Sequence, residues 1–230
     1  MYQSKRMNAV ETPSALAGEI AESFCASLAQ AEGLAAPFPY FRATHLFPAQ
    51  VAEALAALPL EAPSPASGRR EWVKERLYVD QVWRAQSSLL HAVALALQSQ
   101  QVASALHALC GAPLDGTYLR LEYAIDADGF WLEPHTDLGV KKFTGLIALS
   151  GSDAEDQDLG TDLYTSAAEP FGRAPFVPNA GTLFVPGTET WHGFAPRPIK
   201  GLRKSVILNY VGADWQSREQ LAFPDRPIAL

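Results

Sequence analysis

Apolar positions recur at helical spacing in the first half of the chain and alternate with polar ones in the second, the change falling near residues 111–116. Between residues 14 and 30, Leu16, Ile20, Phe24 and Leu28 fall about one turn apart and nothing breaks the run beyond Gly18. This spacing predicts an amphipathic helix with Ser14 as its cap. A second helix is expected after Pro48, through VAEALAAL. The stretch PLEAPSPASGRREW then gathers proline, serine and glycine and reads as a surface loop. Residues 87–110 are apolar and alanine-rich without a breaker, which predicts one long helix or two abutting ones, ended by Gly111 and Pro113.

From Thr117 onward the texture changes to β-branched and aromatic runs bounded by Gly, Pro and Asp: TYLRLEYAI, FWLEPH, KFTGLIALS, TDLYT, GTLFVP, TWHGFAP and RKSVILNYV. Short strands in that number predict a sandwich or a barrel. In the last run Arg203, Ser205, Ile207 and Asn209 share one face, and Val206, Leu208 and Tyr210 the other. Both faces must then be covered, the second by the helices. The expected fold is therefore mainly β with α: a double-stranded β-helix, or cupin-like jelly roll, with N-terminal helices packed on one sheet. A chain of 230 residues suits one domain. Within it we expect a mostly helical support region over 1–113, a jelly-roll core over 114–215 and a C-terminal tail over 216–230.

Composition narrows the partners. A net charge of −7 leaves no concentrated cationic surface for phosphates, which disfavours nucleic acid and a charged membrane surface. No run approaches the ~20 apolar residues of a membrane span, and the alanine-rich windows carry Glu19, Glu22, Glu53 and Glu61. Lys5 and Arg6 precede a polar, proline-containing stretch instead of an apolar leader segment. Cys25 and Cys110 lie in apolar helical windows, where a free thiol acts as a small hydrophobe. A reduced, cytoplasmic setting is the expectation.

Two of the five histidines have neighbours that suggest chemistry. His135 and Asp137, two apart in WLEPHTDLG, leave the same face of an extended segment. His192, in ETWHGF, offers a third ligand from a neighbouring strand. Two neutral imidazoles and one carboxylate on one side of an octahedral ion leave open positions, which suits Fe(II) in oxygenases. Taken alone, the HxD triplet reads as a surface histidine and a turn aspartate. The piece GLRKS adds weight, because Arg203 and Ser205 on one strand face form a fork and a hydroxyl fit to clamp a carboxylate.

In this order, HTD, WHGF and GLRKS resemble the 2-oxoglutarate and Fe(II)-dependent dioxygenase superfamily, in particular its prolyl-4-hydroxylase-like branch. The resemblance covers roughly residues 117–211. It implies that His135, Asp137 and His192 hold Fe(II), that Arg203 and Ser205 hold the far carboxylate of 2-oxoglutarate, and that Tyr123 contacts the same co-substrate. It also implies O2 as the oxidant, succinate as a product, and room for ascorbate as an accessory reductant. Prolyl hydroxylases often carry lysine where this chain has Arg203, so a proline substrate does not follow. Related halogenases replace the carboxylate ligand with a small residue, and the presence of Asp137 disfavours halogenation.

Trp131, Trp191 and Phe194 are candidate cavity walls, with ordinary core packing as their alternative. Lys141 and Lys142, and the acidic stretch 153–158, are candidates for the cavity mouth. None names a substrate: a small molecule, an amino acid or a peptide side chain all fit, and oligomeric state is not encoded legibly. Two rival readings stand beside the oxygenase. One is a non-catalytic cupin-like binding module. The other is a zinc hydrolase, against which stands the lack of an HExxH helix.

Overall fold

The computed structural model describes residues 12–62, 68–69, 76–151 and 158–230. Most of the turn-rich stretch 59–72, and Lys5 and Arg6, lie outside the described residues. Helix α1 (Pro13–Leu28) has its cap two residues earlier than expected, at Thr12 instead of Ser14: Thr12 accepts from the Ala15 amide, and Pro13 fills the first turn, where its missing N–H costs nothing. Helix α2 (Ala49–Ala56) follows Pro48 as predicted. Helix α3 (Gln81–Gln86) was not expected; the Asp80 carboxylate starts it by accepting from the Trp83 amide at 2.9 Å.

The long apolar window divides into α4 (Ser88–Gln98) and α5 (Gln100–Cys110). Ser99 makes the break. Its backbone is extended, its hydroxyl donates to the Ala96 carbonyl at 2.6 Å, and the same oxygen accepts from the Val102 amide to cap α5. Local hydroxyl-to-backbone bonds of this kind compete with a continuous helix.

Among the described residues twelve strands follow in chain order: β1 (Glu32–Leu34), β2 (Tyr40–Thr44), β3 (Gly68–Arg69), β4 (Leu77–Tyr78), β5 (Tyr118–Asp126), β6 (Phe130–His135), β7 (Lys141–Ala148), β8 (Asp162–Ser166), β9 (Glu169–Arg173), β10 (Ala180–Phe184), β11 (His192–Phe194) and β12 (Arg203–Val211). They form a seven-stranded sheet in the order β1-β2-β10-β7-β12-β5-β4 and a five-stranded sheet in the order β3-β6-β11-β8-β9. This is a jelly roll of two facing sheets that does not close into a barrel. The first 113 residues thus contribute strands as well as helices, and β1 and β2 widen the larger sheet at its β10 edge.

Register determines which side chains face the second sheet. One row across the larger sheet runs Arg42, Thr182, Leu146, Ile207, Glu122 and Tyr78. The alternate positions of β5 and β12, Leu119, Leu121, Tyr123 and Ile125 with Val206, Leu208 and Tyr210, face the helices and are buried with Ile20, Phe24, Leu97 and Leu106. Each such fully buried Leu, Ile or Phe contributes ~1.5–3 kcal/mol. The helical layer is tied down by polar bonds too: the Tyr210 hydroxyl donates to the Leu97 carbonyl at 2.5 Å, and the Lys204 ammonium to that of Ala56 at 2.8 Å. The C-terminal segment also packs inward, with Leu221, Ala222, Phe223 and Ile228 buried and the Ile228 amide donating to Thr117 O. No described helix is long and apolar enough to cross a membrane.

Candidate metal and co-substrate site

His135 ends β6 and His192 begins β11, and the two are direct cross-strand partners. That pairing depends on Gly193. A Cβ there would lie 2.8 Å from the Leu132 carbonyl oxygen, so any larger residue would push β11 off β6. Asp137 sits just past β6, on the turn toward β7. The three residues each offer a ligand atom, and these atoms lie within 4.8 Å of one another. The imidazole centroids are 4.3 Å apart.

Hydrogen bonds orient all three. Each histidine places Nδ1 at 2.9 Å from the carbonyl two residues before it, His135 on Glu133 and His192 on Thr190. With Nδ1–H donating there, the lone pair of Nε2 is left for a cation. Asp137 accepts from the Lys141 ammonium at 2.5 Å through Oδ1 and from the Thr144 hydroxyl at 2.6 Å through Oδ2. Burial alone would raise the Asp137 carboxyl; Lys141, His192 and Thr144 outweigh it and hold the pKa at about 2. Burial pushes His192 the other way, down to about 4, against the pull of Asp137. Two neutral imidazoles and one ionised carboxylate are the protonation states a divalent metal requires. The donor set therefore fits Fe(II).

A cavity of about 480 Å³ opens from this triad between the sheets. One end is lined by Phe130, Leu132, Phe176 and Phe194 together with Arg203 and Ser205. Arg203 is buried; its Nε–H donates to the Leu159 carbonyl at 2.8 Å and its Nη1 to Asp126 at 2.6 Å, and its guanidinium packs near Phe176 and Phe194. The other end, set by the register that places Arg203 opposite Asp126 and Asn209 opposite Arg120 and Thr144, carries Leu138, Lys141, Arg120, Glu122 and Trp215.

Tyr123 is placed away from the co-substrate, contrary to the expectation. It lies on the helix-facing side of β5, where its hydroxyl donates to the Leu55 carbonyl at 2.7 Å and burial lifts its pKa to about 12. It does not line the cavity. Glu122 and Arg120, at the opposite parity, do. Of the expected walls, Phe194 lines the cavity, whereas Trp131 and Trp191 do not. Lys141 lines it, and Lys142 instead donates to the Gly139 carbonyl at 2.9 Å. Of the acidic stretch 153–158 only Asp158 is described, where it pairs with Arg173.

Thr144, Asn209, Arg120 and Trp215 were given no role from sequence. The Arg120 guanidinium donates to Asn209 at 2.9 Å, to Gln220 at 3.0 Å, to the Tyr78 hydroxyl at 3.1 Å and to Glu122 at 3.2 Å. Asn209 in turn donates to Thr144, so a continuous polar chain ends on Asp137. The alternation of β12 had placed Asn209 on the face of Arg203 and Ser205, which was the available signal.

No protein-family model matches the sequence, and no curated protein matches it. Solved structures do. A prolyl-4-hydroxylase from Pseudomonas putida aligns with 84% of this chain and 94% of its own at 17% identity, TM-score 0.53. A prolyl 4-hydroxylase from Phytophthora capsici aligns with 91% of this chain and 68% of its own at 18% identity, TM-score 0.54. A prolyl hydroxylase from Trichoplax adhaerens, solved in complex with a hypoxia inducible factor peptide fragment, aligns with 86% of this chain and 90% of its own at 12% identity, TM-score 0.52. The chain has the jelly-roll fold of these hydroxylases.

Proposed function

We propose that this chain is a 2-oxoglutarate- and Fe(II)-dependent oxygenase that hydroxylates an unactivated C–H bond of a small molecule, an amino acid or a peptide side chain. The observation that carries the reading is the convergence of His135, Asp137 and His192 at one end of a cavity with Arg203 and Ser205 at the other. Fe(II) would be held by the triad and, with 2-oxoglutarate bound, would activate O2 as the oxidant, one oxygen atom entering succinate as CO2 leaves the co-substrate and the other entering the hydroxylated substrate.

The protein's own contribution is placement and exclusion of water. Arg203, anchored by Leu159 and Asp126, offers a fixed fork to the distal carboxylate of the co-substrate, and Ser205 a hydroxyl beside it. Phe130, Phe176 and Phe194 keep that end apolar, which strengthens the ion pair made there. A zinc hydrolase would need a carboxylate base beside the metal; Glu133 does not line the cavity, and Glu122, which does, is bonded to Arg120 at 3.2 Å, so the oxygenase is the reading favoured.

The test is anaerobic. Protein mixed with Fe(II) and 2-oxoglutarate should show the weak visible charge-transfer band of the chelate, and admission of O2 should yield succinate. An absent band, with the metal bound, would leave a non-catalytic metal-binding module.

A further inference from the structure

We infer that the primary substrate is a small carboxylate anion, held by Lys141 with its oxidised C–H bond only a few carbons from the carboxylate. The inference rests on the oxygenase reading and deepens it.

Lys141 has a singular place. Its ammonium lies 2.5 Å from Asp137 Oδ1, and the ligand atom of Asp137 is within 4.8 Å of those of both histidines. It is the first residue of β7 and lines the cavity at the triad. Its side chain is 17% exposed, against 4% for Asp137, and both residues line the cavity. A divalent ion on Asp137 competes for the same carboxylate charge, and two cations at that range repel. The carboxylate has a second anchor in Thr144 and keeps its place without the lysine. Lys141, on a flexible four-carbon stem, does not need to stay. Metal loading therefore turns an internal ion pair into a cation at the wall of the cavity, a short reach from the reacting centre.

The surroundings suit a small organic acid. Leu138, next to the ligand Asp137, lines the cavity while 65% exposed, and the Trp215 indole lines it as well. Both are apolar surfaces for the body of a ligand whose charge is met by Lys141. Arg120 also lines this end, but four protein acceptors hold its guanidinium, so it contributes field and not a new contact. Glu122 is bonded to that same guanidinium at 3.2 Å, which blunts its appeal to an amine. The carboxylate of 2-oxoglutarate has its own partner in Arg203 at the far end, and the two anion sites are distinct.

The experiment reads the charge-transfer band of the anaerobic Fe(II) and 2-oxoglutarate complex while hexanoate, hexanamide or hexylammonium is added. Hexanoate should shift the band saturably, at about tenfold lower concentration than hexanamide, as expected for one charge-assisted contact, with hexylammonium weaker still. Lys141→Gln should remove the preference for hexanoate over hexanamide, and Lys141→Arg should retain it. Equal binding of acid and amide by the wild type overturns the assignment, as does a preference that survives in Lys141→Gln. Bleaching of the band by hexanoate overturns it too, because the acid would then be displacing 2-oxoglutarate. A wild type that forms no band at all overturns the oxygenase reading itself, and this inference with it.

Discussion

Asn209 on β12 donates its side-chain amide to the Thr144 hydroxyl on β7 at 2.9 Å, and Thr144 spends its own proton on Asp137. The direction is fixed: an amide N–H can only donate, so the hydroxyl proton is free to go to the carboxylate. Arg120 completes the chain by donating to the Asn209 oxygen, which fixes which way the amide points. Thr144→Val keeps the shape and deletes both bonds. Loss of an outer partner of a metal ligand costs 10–100-fold in affinity, so Co(II) should bind roughly tenfold more weakly to this variant in a competition titration. Unchanged Co(II) affinity would show that the Asp137 geometry is set elsewhere.

Lys141 acts on the same carboxylate in the opposite sense. In the metal-free protein it pairs with Asp137, and a divalent ion competes with it for the same carboxylate charge. Lys141→Gln removes that competitor. Co(II) affinity should rise several-fold, on the order of 1 kcal/mol, which is modest because the ammonium is partly screened by water. A fall in affinity would mean that the lysine builds the site instead of guarding it.

Tyr123→Phe separates two roles for one residue. The hydroxyl bonds to Leu55 O beneath the helical layer, away from the cavity. The variant should unfold with ~1 kcal/mol less stability, the usual net worth of a buried hydrogen bond. Its 2-oxoglutarate requirement should match the wild type. A raised requirement would return Tyr123 to the co-substrate.

The Tyr123 correction also shows where sequence reasoning lost resolution. The triad is legible because its members lie at strand ends and share one chemistry, and because GLRKS adds a carboxylate clamp to a spacing of two and a distant histidine. The face of β5 was not legible, because LRLEYAID carries apolar and charged residues on a strand buried on both sides. Register to β12 decides the matter: Arg203 pairs with Asp126 and Asn209 with Arg120, which puts the even positions of β5 in the cavity and Tyr123 among the helices. Strands β1 and β2 escaped notice for another reason. They are short and lie between helical windows, and only the pairing of β2 with β10 and of β1 with β2 gives them a place. Ser99 was a hidden break, since serine ends a helix only where its hydroxyl finds the backbone.

Asp162 gives the pH dependence. Its carboxylate joins β8 to the segment after β11, accepting from the Ala195 amide at 2.7 Å, from Arg197 at 2.6 Å and from Arg173 at 2.8 Å. Burial pushes its pKa up, but these donors outweigh burial and leave it below the ordinary aspartate value. A carboxyl with a depressed folded pKa binds fewer protons folded than unfolded, so its stabilisation is fully present above the unfolded value of about 3.9 and drains away as pH falls through the folded one. The Asp162→Asn variant, with no charge to lose, should melt below the wild type at pH 7. The difference should shrink on acidification below about pH 4, where the wild-type carboxylate takes up its proton. Melting curves of the metal-free proteins measure this directly. A difference that stays constant from neutral to acid pH would show that the clamp at Asp162 works by shape and hydrogen bonding alone, without its charge.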